Sequence, residues 1–113
     1  MKKISLFLFS LFVLQSVAVA HPPSDVKIGF DLKTQTLNAV VVHRVSNPAT
    51  HYIYKVDIAL NGKEIKTLTF EKQLDRKEQA VTVVLPQVKA GDFLSVEGYC
   101  NLSGKLEKKI RVG

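Results

Sequence analysis

The chain contains a single cysteine, Cys100, so no disulfide can close within it. Small domains outside the cell often rest on disulfides. A lone thiol there must instead be buried, paired between chains or bound to a metal. Long apolar runs are equally scarce. Beyond residue 20 no segment approaches the roughly 20 consecutive apolar residues that a spanning helix needs, so no membrane span is expected there. The same region has no helical period of any length, no internal repeat, no low-complexity tract and no linker. It also lacks a basic stripe or a set of aromatic stacking positions, the marks of a nucleic-acid binder. Nucleic acid is therefore not an expected partner.

What is present begins with an export signal. Lys2 and Lys3 form a positive start, Ile4 to Val13 is apolar apart from Ser5 and Ser10, and Ala18-Val19-Ala20 supplies small residues for cleavage. The apolar run is too short to anchor the chain, and no cysteine near the cleavage site could take a lipid. Residues 1–20 are thus expected to be a cleaved signal peptide. Residues 21–113 are expected to be one exported domain, with the periplasm as destination or secretion as the alternative. Its 14 Lys+Arg against 10 Asp+Glu leave a net charge of +4, with the signs interspersed. A solvated surface accounts for that.

The remaining periodicity is that of strands. Val26, Ile28 and Phe30 alternate with Lys27, Gly29 and Asp31. Leu37 to His43 is built around Val40-Val41-Val42, a β-branched run suited to a central strand. Ile53 to Leu60 and Ile65 to Phe70 flank Asn61-Gly62, the pair that a type I′ hairpin turn favours because both positions need φ > 0. Lys72 to Glu78 reads as a polar loop, and Val81 to Leu85 as a strand ending at Pro86. Phe93 to Tyr99 and Leu106 to Val112 are the last strands, separated by a turn over Asn101 to Gly104. About seven short strands at this spacing predict an all-β, immunoglobulin-like β-sandwich.

The chemistry-bearing side chains are few: histidines 21, 43 and 51, and Cys100. Each has a bland reading as a chain terminus, a satisfied core residue or a small buried hydrophobe. Their placement says more. His43 ends one predicted strand and His51 opens the next, so the loop Arg44 to Thr50 holds both at one end of the sandwich. Cys100 ends another strand at a turn. Imidazole and thiolate together suit iron, copper or zinc, whereas calcium and magnesium prefer oxygen. A chain cleaved before His21 would also offer an α-amine beside that imidazole, whose pKa of about 7.7–8.0 makes deprotonation by a metal easy.

Three segments resemble the metal-binding segments of the superoxide reductases, the desulfoferrodoxin and neelaredoxin proteins. They are His21-Pro22-Pro23, His43 through His51-Tyr52-Ile53, and Tyr99-Cys100-Asn101-Leu102-Ser103-Gly104. The resemblance implies an immunoglobulin-like domain with a mononuclear non-haem iron at its end loops. It implies equatorial ligation by His21, His43 and His51, and axial ligation by the Cys100 thiolate. The implied reaction is one-electron reduction of superoxide to hydrogen peroxide, fed by an electron donor that the sequence does not identify. The chain departs from the family pattern at Ser103, which stands at the place of a fourth histidine. Arg44 replaces a proline, the loop between His43 and His51 is longer, and the usual Glu-Lys pair ahead of the first histidine is absent. Two other readings stay open. One is a periplasmic copper carrier using the N-terminal histidine, with copper or zinc in place of iron. The other is a non-catalytic binding module of the same fold. The oligomeric state is open as well.

Overall fold

Period-two alternation resolves into seven strands: β1 (Asp25–Asp31), β2 (Thr36–Val42), β3 (Ile53–Leu60), β4 (Lys63–Thr69), β5 (Glu78–Val84), β6 (Phe93–Cys100) and β7 (Lys105–Arg111). The structure, a computed structural model, describes residues 20–113, and among the described residues there is no helix. Residues 1–19, nearly the whole of the expected signal peptide, lie outside the described residues. One sheet has the order β1-β2-β5 and the other β4-β3-β6-β7. Every pairing is antiparallel.

The two inner faces make one core. Leu37, Ala39 and Val41 of β2 are buried, as are Ile53, Val56 and Ile58 of β3 and Leu94 and Val96 of β6. The inward set of β3 changes parity between Ile53 and Val56 because the register with β6 shifts between Ile53 and Lys55. That irregularity keeps Ile53 inward at the end of the sandwich where the histidines lie. The hairpin from β3 to β4 turns at Asn61 and Gly62, with φ of 51° and 86°, as the type I′ expectation requires. The Asn61 side chain accepts from the Phe93 amide at 2.8 Å and donates to Asp92 Oδ1 at 3.1 Å, which ties this turn to the start of β6.

Strand β5 begins three residues before the expected Val81. The polar sequence Glu78-Gln79-Ala80 hid this extension, but Glu78 and Gln79 pair with Val42 and Val41 of β2. Gln79 is buried there at little cost, because its Oε1 accepts the Leu74 amide at 2.8 Å.

The sheets come close together near the end of β2. A methyl group on Gly98 of β6 would lie 2.6 Å from Val41 Cγ1. One pleat further on come His43, just past β2, and Cys100, the last residue of β6. Period two therefore turns both toward the space between the sheets. Gly98→Ala is expected to overpack this contact and cost about 1–3 kcal/mol, read by chemical denaturation. Val41→Ala in the same chain should recover part of that loss. An alanine at position 98 tolerated without any loss would mean that the sheets are not held this close.

Candidate metal centre

Each histidine is placed by its own local structure. His43 extends the β2–β5 ladder, with its amide bonded to the Lys77 carbonyl at 2.8 Å. His51 closes a turn that starts at Asn47, whose carbonyl accepts the Thr50 and His51 amides and whose Oδ1 accepts the Ala49 amide. His21 enters on an extended segment held by the Ser24 amide on the Val42 carbonyl. Pro22 in that segment packs against Gly104, where an added methyl would stand 2.6 Å from the Pro22 Cβ. Gly104 has φ of +80°, a left-handed conformation that favours glycine. The turn after β6 thus accommodates the segment that carries His21.

The three imidazoles converge. Their ring centroids lie 4.8–5.0 Å apart, and one nitrogen from each falls within 4.8 Å of the other two. Two nitrogens each bonded about 2.1 Å from a common ion are at most about 4.2 Å apart. Three nitrogens held at that length by one ion lie mutually about 3.4–3.6 Å apart, so the rings must draw together to bond one. The group contains no carboxylate, a donor set for a borderline transition metal and not for calcium or magnesium.

His43 is fully buried. Its Nδ1 lies 2.9 Å from Gln73 Oε1 and its Nε2 lies 3.1 Å from the His21 carbonyl oxygen. His51 Nε2 is buried and, among the described residues, has no hydrogen-bond partner. A buried polar atom without a partner costs about 1–3 kcal/mol, and an ion among the three rings would remove that deficit. On this observation the residues present fit a metal.

The pKa of His51 is lowered from its ordinary 6.5, chiefly by burial and then by the neighbouring His43 and His21. The folded protein therefore resists a proton that the unfolded chain accepts. The contribution of His51 to stability is fully present above about pH 6.5 and is lost as pH falls through its lowered folded pKa. Metal-free protein is expected to lose stability below about pH 6.5, with part of that loss absent in His51→Leu. Urea midpoints measured across pH 5–8 check this. A pH dependence identical in the two proteins would contradict it.

Cys100 is free and buried. Its sulfur lies 3.4 Å and 3.5 Å from the Leu102 and Ser103 amides, which donate to it. Its sulfur is not among the mutually close donor atoms of the histidine group. The backbones are nonetheless joined: Cys100 pairs with Ile53, the Tyr52 amide donates to Asn101 Oδ1 at 2.8 Å, and Asn101 Nδ2 donates to the Thr50 carbonyl. The His51 segment and the Cys100 turn are thus tied together. Ser103 is exposed on that turn. Cys100, Ser103, Tyr52, Tyr99, Leu102 and Lys105 share an open cleft beside it.

Sequence reasoning did not single out Gln73, which lies in the segment expected to be a polar loop. It is 2 % exposed, and its side chain makes four hydrogen bonds beneath the histidines. No spacing or composition signal marks it, because its partners come from three separate segments. In comparison with known proteins, the chain matches no family model, no curated protein and no solved structure.

Proposed function

We propose that this chain is an exported metal-binding domain of the superoxide-reductase type, with one iron ion held by His21, His43 and His51 and with Cys100 as the thiolate ligand. The observation that carries the reading is the orphaned, buried Nε2 of His51 among three converging imidazoles. The two amides directed at the Cys100 sulfur support its role as a ligand. The strand order supports an immunoglobulin-like sandwich, in a variant where the fourth strand pairs with the third instead of the fifth.

Ferrous iron, when bound, supplies the single electron that takes superoxide to the peroxide level. The chain's own residues hold and orient. Gln73 and the His21 carbonyl flank the His43 ring, and the Asn101 side chain locks the Cys100 turn to the His51 segment. Lys105 lines the cleft beside Cys100 with its ammonium paired to Glu97 at 3.5 Å.

A second reading is a copper or zinc carrier, or a non-catalytic binding module, and one observation favours it. The mutually close donors are the three histidines without Cys100, a set that copper and zinc both accept.

Protein purified from its native compartment tests both readings. Its N-terminal residue, read by sequencing or intact mass, should be His21, and its metal should be iron. Oxidation should produce a thiolate-to-iron(III) band in the visible that Cys100→Ser removes. A mass that retains the N-terminal apolar run would end the export argument. Stoichiometric zinc or copper without such a band would select the second reading.

A further inference from the structure

We propose that Gln73 is a positioning residue of this centre, fixing the hydrogen of His43 on Nδ1 so that Nε2 is the nitrogen offered to the metal. The inference rests on the metal-binding reading above and adds to it a residue that no motif marks.

The orientation of the Gln73 amide follows from its partners. Its Nε2 donates to the His43 carbonyl at 2.7 Å and to the Asp75 carbonyl at 2.9 Å. Neither carbonyl can donate, so a flipped amide would set oxygen against two acceptors. Its Oε1 accepts the Ile53 amide at 3.2 Å, which requires the same orientation. Oε1 is therefore the atom that meets His43 Nδ1 at 2.9 Å. An acceptor there calls for a hydrogen on Nδ1.

The other ring nitrogen also faces an acceptor, the His21 carbonyl at 3.1 Å. The two acceptors differ in what surrounds them. The Gln73 contact is buried and held on both sides, so a bare Nδ1 would oppose Oε1 with no relief. The His21 contact is only part-buried and lies on the entering segment, where the lone pair of Nε2 can take an ion. The buried contact decides the tautomer. A metal-bound histidine commonly donates its second ring N–H to an oxygen in this way, which fixes ring orientation and raises ligand basicity.

Gln73 also joins the pieces of the centre. Its partners are His43 after β2, Ile53 at the start of β3, two residues beyond His51, and Asp75 before β5. Its own amide bonds the Pro48 carbonyl at 3.0 Å, in the loop between His43 and His51. The spacing between these two histidines is thereby set from beneath by one side chain.

The test uses the purified protein with histidine ring nitrogens labelled with ¹⁵N, and Zn²⁺ as a diamagnetic probe. In metal-free wild type the ring shifts of His43 should report hydrogen on Nδ1. Zn²⁺ affinity, measured by chelator competition, should fall about 10–100-fold in Gln73→Leu. Gln73→Glu keeps the acceptor but loses both donors. It should therefore lower the denaturation midpoint while keeping the His43 tautomer and most of the zinc affinity. A purely structural role predicts that affinity tracks stability in both variants, and that result would overturn the proposal. Hydrogen found on Nε2 of His43 in the wild type would overturn it without any variant. Wild-type protein that binds neither zinc nor iron would overturn the metal reading, and the positioning role with it. The tautomer measurement, which needs no metal, tells these failures apart.

Discussion

Replacing His51 with leucine is expected to stabilise the metal-free protein while removing its metal affinity. Leucine has a similar bulk and no polar atom, so the cost of the unpartnered Nε2, about 1–3 kcal/mol, disappears. The same change deletes one of three converging donors. Losing an outer-shell partner typically costs about 10–100-fold in affinity, and losing a direct ligand should exceed that. His43→Ala provides the contrast. His43 is fully buried and bonded to Gln73, so its removal leaves a cavity and should cost about 2–5 kcal/mol, as for other large buried side chains, together with the metal. Opposite signs of stability change in the metal-free variants, with metal lost in both, are the expected pattern. Calorimetry and metal titration read the two quantities separately. A destabilised His51→Leu that still binds metal would remove His51 from the site.

Ser103→His should raise iron affinity by about 10–100-fold or more, on the scale at which changes around metal ligands act. Residue 103 lies between Cys100, whose sulfur its amide meets at 3.5 Å, and Gly104, which packs against Pro22 beside His21. Position 103 is exposed, so a longer side chain there displaces no core residue. In the proposed centre it restores the imidazole that Ser103 replaces, leaving one fewer position open on the metal. Iron content after dialysis against a chelator and the rate of superoxide decay should both increase. Unchanged values, in protein whose thiolate band is intact, would mean that position 103 does not face the metal. If instead an α-amine at His21 fills that place, one residue added ahead of His21 should lower affinity more than Ser103→His raises it.

Much of the architecture was legible because strands write themselves into sequence at short range. The alternation through Val26, Ile28 and Phe30, the β-branched run at Val40-Val41-Val42 and the Asn61-Gly62 turn each depend on neighbouring residues alone. The early start of β5 was not legible. Glu78 and Gln79 are polar, and only pairing with Val42 and Val41 together with the Gln79–Leu74 bond makes a strand there.

The site divides in the same way. The sequence by itself determined which side chains could bind a metal, since it holds only three histidines beyond the expected cleavage point and one cysteine. It also placed His43 and His51 at the facing ends of consecutive strands. The tertiary structure decided that His21 joins them, because that depends on Pro22 packing against Gly104, some eighty residues away in the chain. It decided the surroundings of His43 through Gln73, whose four bonds reach segments that nothing local links. It also separated Cys100 from the tight histidine group while binding its turn to the His51 segment. A donor's identity is a property of one residue. Its distance to other donors and the hydrogen on its ring arise from contacts distant in sequence, and those exist only once the two sheets have closed on each other.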